Sequence, residues 1–144
     1  MNLATTYMGL RLKNPLVIAA SPLTRDIEML AKLEAAGAAA VVLYSLFEEQ
    51  VENEARRLFY YTATTQDTNA EALSYFPETT AYVREPDDYI AHIRRAKERL
   101  NIPVIASLNG ISRGGWINYA RMMQEAGADG LELNVYLLPT NPGV

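Results

Sequence analysis

The sequence predicts an α/β protein with a parallel β-sheet, because short apolar runs alternate with helical patterns along the chain. Four runs rich in Val, Ile, Leu and Ala have the length and composition of strands that are buried on both faces. A unit of strand, helix, Gly-Ala turn and strand also occurs twice, since residues 33–43 align with residues 123–133 without a gap. Repeated units of this kind build parallel sheets with right-handed crossovers.

The first part of the chain is predicted to hold a small hairpin and the first repeat unit. In chain order we predict a hairpin, a strand, a helix and a second strand at residues 5–12, 14–21, 27–37 and 40–44. Pro15 opens the first strand at a position where its missing N–H costs no central ladder bond. Gly37 ends the helix, where a left-handed C-cap favours glycine. In a closed barrel the N-terminal hairpin would plug the amino-terminal mouth.

The second part of the chain is predicted to begin with a long loop after strand two and to continue with the second repeat. In chain order we predict a loop, a helix, a strand, a helix and a strand at residues 45–85, 86–100, 102–107, 117–127 and 130–134. Within the loop, residues 46–58 are acidic and then basic, which favours a helix, and scattered aromatic residues follow. A loop of this length is typical of cover over a site or of disorder, and its aromatic residues favour cover or a subunit interface.

Together these elements predict half of an eight-stranded TIM barrel. Four strands with their helices fit into 144 residues, whereas a complete barrel needs roughly 250. Residues 137–144 are Pro-rich and follow the fourth strand in the manner of a βα loop. We therefore interpret residues 1–144 as the N-terminal (βα)4 half of a TIM barrel domain, with a small open sheet as the alternative.

Composition excludes several classes of function. Thirteen Lys and Arg against 17 Asp and Glu give a formal net charge of −4, so the chain lacks the basic stripe that nucleic acid or an anionic membrane requires. The chain contains no cysteine, which excludes disulfides, thiolate metal sites and a cysteine nucleophile within these residues. No apolar run approaches the roughly 20 residues of a membrane span, and the first residues do not resemble a signal peptide. We expect a soluble, cytoplasmic protein.

Small or neutral polar residues stand at the carboxyl ends of the predicted strands, where barrel enzymes place their reactive groups. They are Ala20, Ser21, Tyr44, Ser45, Ser107, Asn109, Asn134 and Tyr136. The set has no carboxylate pair and no base beside a serine, so it suits hydrogen bonding to a flat, uncharged heterocycle. The alternative for the three serines is that each caps the helix that follows it. We favour ligand binding for the two asparagines, because a strand-end amide is costly to leave unpaired.

Three further features have plainer interpretations. His92, the single histidine, lies in the helix predicted at residues 86–100, which indicates a surface or partly packed role away from the strand ends. Residues 113–116 are Gly-rich but lack the lysine and spacing of a phosphate loop, so we predict a turn and a helix start. Glu132 alternates with two leucines on the fourth strand, as a buried carboxylate paired with an arginine or as a group of the barrel interior.

Several motifs together resemble one known family. The motifs that resemble the amino-terminal half of the dihydroorotate dehydrogenase family are Asn-Pro-Leu-Val-Ile-Ala-Ala-Ser at residues 14–21, Ala-Gly-Ala at 36–38, Ser-Leu-Asn-Gly at 107–110 and Glu-Leu-Asn at 132–134. The segment at residues 7–15 is similar as well. The resemblance covers nearly the whole chain in the same order and about half of the family's barrel, and it favours a divergent, dihydroorotate dehydrogenase-like branch.

The resemblance implies a flavoprotein oxidoreductase. Members of the family are TIM barrels that hold FMN at the carboxyl-terminal mouth and pass a hydride from the CH–CH bond of dihydroorotate to the flavin, in pyrimidine biosynthesis. By motif match, Ala20 and Ser21 lie against the flavin, and Ser45 contacts it. Asn109 and Asn134 bind the flavin or the substrate in the same comparison. We therefore expect FMN as the cofactor and a small dihydropyrimidine-like substrate.

The sequence departs from the family at two places that matter for the chemistry. Tyr44 stands where members usually carry the lysine whose charge stabilises reduced flavin. Leu137 stands near the position of the catalytic cysteine of one class, and the same loop has no serine of the kind that another class uses. Tyr136 is the nearest candidate base, although the ordinary tyrosine pKa of about 10 is high for that role.

Three functions are open on the sequence. The leading prediction is an FMN-dependent oxidoreductase of dihydroorotate dehydrogenase type, and the second is a non-catalytic half-barrel that binds a partner or a small molecule. The third is another phosphate-binding barrel enzyme, such as an aldolase or isomerase, with Glu132 as its charged strand-end group. The phosphate site of such barrels comes from loops after strands seven and eight, so we expect weak or no FMN binding by the half alone. Exposed sheet edges favour a homo-oligomer.

Overall fold

The computed structural model of the chain describes residues 2–48, 85–110 and 115–135. The strands in these ranges are β1 (Thr5–Tyr7), β2 (Leu10–Leu12), β3 (Val17–Ile18), β4 (Ala40–Phe47), β5 (Val104–Asn109) and β6 (Gly130–Asn134). The helices are α1 (Ile27–Ala35), α2 (Glu85–Arg99) and α3 (Gly115–Glu125), with a short 3-10 turn at Pro22–Arg25 before α1. No helix within the described ranges has the length and apolarity needed to cross a membrane.

The larger of the two sheets is parallel, and its strand order follows the chain. β3, β4, β5 and β6 are neighbours in that order, and every pair is parallel. α1 connects β3 to β4, and α3 connects β5 to β6. The predicted α/β class with a four-stranded parallel sheet is therefore confirmed. β1 and β2 form a separate antiparallel pair ahead of this sheet.

The two repeat units end their helices in the same turn. Gly37 follows α1 with φ +114° and Gly127 follows α3 with φ +96°, a region that side chains with a Cβ rarely adopt. In each copy the alanine after the glycine donates its N–H to a carbonyl in the last helical turn, at 3.1 and 3.2 Å. This is the pattern of a glycine C-cap, and it redirects the chain straight into β4 or β6.

The two faces of the parallel sheet pack against different partners. The outer face packs against the helices and carries most of the core, including Leu43 and Leu108 from the sheet with Ile93 from α2. The opposite face, called the inner face here, is apolar near the amino ends of the strands. Its buried residues are Leu12, Ala39, Ala40, Val42 and Ile105. Leu12 belongs to β2, so the hairpin covers the inner face at this end.

The pairing of β4 with β5 contains a register shift. Val42 pairs with Ile105, but the next partners are Ser45 and Ser107. Two residues of β4 therefore lie opposite one residue of β5, which is a β-bulge. Because of the bulge, Tyr44 lies on the outer face and packs on the helix side. Ser45, the next residue, lies on the inner face.

β4 is longer than the predicted second strand. It continues through Ser45 to Phe47, so Ser45 lies inside a strand and the loop starts later than predicted. Residues 49–84 lie outside the described residues, and so does most of the helix predicted at 46–58. Residues 111–114 and 136–144 lie outside them as well, which includes the candidate base Tyr136.

Candidate functional site

Polar side chains replace apolar ones toward the carboxyl ends of the inner face. Ser45 on β4 is the register partner of Ser107 on β5, and Ser107 is the partner of Glu132 on β6. Asn134 lies two residues beyond Glu132 on the same face of β6. We call these four residues the polar row. The row crosses three neighbouring strands at the end of the sheet where parallel α/β proteins bind their ligands.

Ser107 is the centre of the hydrogen bonds in the polar row. Its Oγ donates to Oε1 of Glu132 at 2.9 Å, and it accepts from Nδ2 of Asn134 at 3.2 Å. The Oγ of Ser45 lies 2.8 Å from the Oγ of Ser107. A carboxylate can only accept, so the single hydroxyl proton of Ser107 goes to Glu132, and Ser45 must donate to Ser107. The hydrogen bonds in the row therefore have one direction.

This direction decides what the row can offer to a ligand. Ser107 is fully buried, and its hydroxyl uses its one proton and both lone pairs inside the row. The amide of Asn134 must turn its nitrogen toward Ser107, which leaves its Oδ1 and its second N–H. Ser45 keeps its lone pairs, and Glu132 keeps one oxygen. The row thus presents acceptors together with one donor, which matches a ring edge that alternates N–H and C=O groups.

Tyr89 on α2 supports the row from the helix side. Its hydroxyl accepts from the backbone N–H of Ser107 at 2.9 Å and donates to the backbone carbonyl of the same residue at 3.2 Å. Burial raises the pKa of Tyr89 well above the ordinary tyrosine value, and the hydrogen bond to Ser107 only partly opposes that effect. The phenol is therefore neutral throughout the physiological pH range and keeps the proton that it donates.

Tyr44 lies on the outer face, away from the polar row. Its ring meets the ring of Tyr89 edge to face with centroids 5.0 Å apart, and the guanidinium carbon of Arg25 lies 4.5 Å from the Tyr44 ring centroid. The residue that the family comparison aligned with the flavin lysine therefore packs among helix residues. At this point of β4 the inner-face position belongs to Ser45.

The expectation of a surface or partly packed His92 is wrong. His92 is only 3% exposed, and its Nε2 lies 2.8 Å from the backbone carbonyl of Thr24. Because a carbonyl can only accept, this nitrogen carries the proton. Burial lowers the pKa of His92, and Arg95 lowers it further, while the bond to Thr24 partly opposes both. The histidine joins α2 to the turn after β3, close to the carboxyl end of the sheet.

The other predicted site residues lie near the same end of the sheet. Asn109 ends β5, is buried, and is the register partner of Asn134. Ala20 packs against the apolar inner-face cluster just beyond β3. Ser21 precedes the 3-10 turn without a side-chain capping bond. The helix-capping alternative is wrong for Ser45 and Ser107, because both lie inside strands and bond to each other.

Sequence reasoning missed two buried side chains near these strand ends. Tyr89 was not singled out from the sequence, although a tyrosine among the aliphatic residues of a helix face is a signal that its hydroxyl has a buried partner. Glu48, just after β4, is almost fully buried, and one of its carboxylate oxygens lies close to Gly110. No cluster of metal-ligating side chains occurs within the described part of the chain.

Comparison with known proteins agrees with the family resemblance. No family model matches the chain. The chain is 31% identical over 134 residues to the NAD-dependent dihydropyrimidine dehydrogenase subunit PreA of Escherichia coli, which covers 92% of this chain and 32% of that protein. It is 34% identical over 137 residues to the catalytic subunit of dihydroorotate dehydrogenase B (NAD(+)) of Thermoplasma acidophilum, which covers 93% of this chain and 41% of that protein.

The chain therefore spans about a third to two-fifths of the length of the curated relatives that it matches. The matched region includes nearly every element of the fold described above. The sequence motifs that suggested the family are thus supported by similarity along more than nine-tenths of this chain. The protein is a partial relative of the dihydroorotate and dihydropyrimidine dehydrogenase subunits.

Proposed function

We propose that this chain is the amino-terminal half-barrel of an FMN-dependent oxidoreductase of dihydroorotate dehydrogenase type. The observation that carries the proposal is the polar row, which lies at the carboxyl end of a parallel sheet and has a fixed hydrogen-bond direction. The similar proteins are named as dehydrogenases of dihydropyrimidine and of dihydroorotate. The proposed substrate is accordingly a dihydropyrimidine-like ring that loses hydrogen from a CH–CH bond.

Asn134 can pair with part of the pyrimidine edge of a flavin. That edge alternates carbonyl oxygens with one N–H, and the free Oδ1 and N–H of Asn134 can match such a pair. Ser45 and the segment of Ala20 and Ser21 would complete the contact from β4 and β3, with Asn109 beside them on β5. Bound FMN supplies the acceptor for a hydride. The residues of this chain would orient the ring and the substrate.

The charge of the polar row limits this function. Its charged member is Glu132, a carboxylate, and Tyr44 does not bring a substitute for the flavin lysine to the inner face. A carboxylate beside a flavin disfavours negative charge on the reduced ring. We propose no catalytic base, because Tyr136 lies outside the described residues. These features favour the second candidate, a half-barrel that binds a flavin-like or pyrimidine-like ring without turnover.

The cellular location and the partners of the protein are also proposals. We propose a soluble protein of the cytoplasm that takes a small-molecule substrate and does not bind nucleic acid. In the part of the chain that the structure describes, β3 and β6 are the edges of the parallel sheet. Unpaired edges favour pairing with further strands, and a second copy of the chain is one source of them.

A flavin titration tests the proposal. The four described strands do not include the loops that bind phosphate in barrels, so we expect the chain to bind riboflavin and FMN weakly and with similar affinity. Quenching of flavin fluorescence measures both constants. Asn134→Ala should abolish binding, whereas Asn118→Ala, an exposed asparagine on α3, should leave it unchanged.

The outcomes separate the two candidates. Bleaching of bound flavin by dihydrouracil or dihydroorotate without oxygen supports the oxidoreductase. Binding that depends on Asn134 without bleaching supports the binding protein instead. If neither flavin binds at millimolar concentration, the assignment of a flavin site to this row is wrong.

A further inference from the structure

We propose that Tyr89 is a positioning residue for the polar row. Its hydroxyl fixes the backbone of Ser107, and this places the Ser107 side chain between Ser45, Glu132 and Asn134. The hydrogen bonds that its hydroxyl makes to the row both go to the backbone of Ser107. The value of the row for ligand binding rests on the proposed function, but the positioning can be measured without any ligand.

The first argument is the position of the Tyr89 hydroxyl beside the bulge in the β4–β5 ladder. In a regular parallel ladder the N–H and C=O of Ser107 would both bond to a neighbouring strand. The β4–β5 register shifts between Val42 and Ser45, and directly beside this shift both backbone groups of Ser107 bond to the Tyr89 hydroxyl. Ser107 is fully buried, so water does not reach it. Without the phenol, both backbone groups would lose this partner inside the core.

The second argument is the rigidity of Tyr89. Its side chain is fully buried, and its ring packs edge to face against Tyr44 on the outer face of β4. A phenol has one proton to donate, and here that proton goes to Ser107 while the oxygen also accepts from Ser107. Both described hydrogen bonds of the Tyr89 hydroxyl are therefore made to Ser107.

The third argument is the geometry on the opposite side of β5. Ser107 Oγ holds three partners at 2.8, 2.9 and 3.2 Å. The longest of these bonds, from Asn134, is at the limit of a good N–H···O bond. A small displacement of the Ser107 backbone would break it first. The Asn134 amide would then lose the contact that fixes which of its ends faces a ligand.

The test uses the Tyr89→Phe variant of the full chain and Tyr7→Phe as a matched control. Tyr7 is half-exposed on the hairpin, far along the chain from the row. Nuclear magnetic resonance should show that the Ser107 amide exchanges with solvent about tenfold faster in Tyr89→Phe. The Asn134 side-chain N–H signals should shift in the same variant. Tyr7→Phe should change neither readout.

Flavin affinity links the positioning to ligand binding. Tyr89→Phe should weaken riboflavin binding about tenfold in the wild-type background. It should have no additional effect in a Ser107→Ala background, because the hydroxyl of Tyr89 acts only through Ser107. Additive losses in the double variant would show that Tyr89 reaches the ligand by another route and would overturn the proposal.

The remaining outcomes are also decisive. An unchanged exchange rate of the Ser107 amide in Tyr89→Phe overturns the proposal. A faster exchange rate with unchanged Asn134 side-chain signals also overturns it, because the bond between Tyr89 and Ser107 would then be purely structural. If both signals respond but wild type binds no flavin, the positioning stands and the proposed function fails. If Tyr89→Phe does not fold, the wild-type spectrum decides. A protected Tyr89 hydroxyl proton close to the Ser107 amide proton is then expected, and its absence overturns the proposal.

Discussion

The two ends of the inner sheet face differ in chemistry although the same strands build both. At the amino end, Val42 and Ile105 are buried against Leu12 of the hairpin. At the carboxyl end, the next inner-face positions of the same two strands are Ser45 and Ser107, which bond to each other and to β6. β5 keeps its alternation between the two ends, while β4 reaches the inner face again only through its bulge.

The difference separates an end that stabilises the fold from the end to which we assign the proposed ligand site. Burial of one large aliphatic side chain contributes about 1.5–3 kcal/mol. A hydrogen bond exchanged with water contributes only about 0.5–1.5 kcal/mol net. The polar end is therefore an inefficient way to stabilise a sheet. Its consistent hydrogen-bond direction supports the proposal that this end recognises a ligand.

The largest expected effect compares one substitution at each end. Ile105→Ala should lower the free energy of unfolding by about 3 kcal/mol, because it removes buried volume from the apolar end. Ser107→Ala should lower it by about 1 kcal/mol, since Glu132 and Asn134 are only half-buried and can turn to water. Urea unfolding measures both. Equal losses would contradict the division between a stabilising end and a binding end.

The next effect compares two glycines, one at each end. A Cβ added at Gly110 would lie 2.7 Å from Cβ of Trp116, which is fixed to the backbone of α3. Gly110→Ala should therefore lower the free energy of unfolding by about 2 kcal/mol. A Cβ at Gly130 would meet the terminal methyl of Met8, which can rotate away. Gly130→Ala should cost less than about 1 kcal/mol in the same urea experiment, and the reverse order would show that the hairpin is held rigidly on the sheet.

The smallest expected effect concerns pH and His92. The unfolded chain protonates this histidine near pH 6.5, whereas burial lowers its pKa in the folded state. Protons therefore bind the unfolded state more strongly, so the stabilisation is complete above pH 6.5 and is lost as the pH falls toward the lowered folded pKa. His92→Gln should flatten the fall in unfolding free energy between pH 7 and pH 5. An unchanged slope would mean that carboxylates alone determine it.

Much of the fold and part of the site could be predicted from the sequence. The four apolar runs predict the strands. The two Gly-Ala turns predict where the helices between them end, because glycine is favoured at the positive φ of both C-caps. The strand-end rule identified Ser45, Ser107 and Asn134 before the structure joined them. Local patterns were sufficient for these residues because the carboxyl ends of parallel strands meet at one edge of a sheet.

The rest depended on contacts between distant parts of the chain. The bulge in β4 has no local sequence signal, so the orientation of Tyr44 toward the helices could not be predicted. The burial of His92 depends on Thr24, which the turn after β3 brings to α2. Tyr89 binds Ser107 across the layer between helix and sheet. Helical periodicity indicates which face of α2 is buried, but it does not indicate which backbone groups of the sheet a residue of that face will contact.

The most direct measurement is a riboflavin titration followed residue by residue in the backbone amide spectrum of the chain. We expect the signals of Ser45, Ser107 and Asn134 to shift together along one binding curve. The signals of Val42 and Ile105 at the amino end should stay in place. Shifts confined to the amino end, or spread evenly over both ends, would contradict the assignment of the ligand site to the polar row.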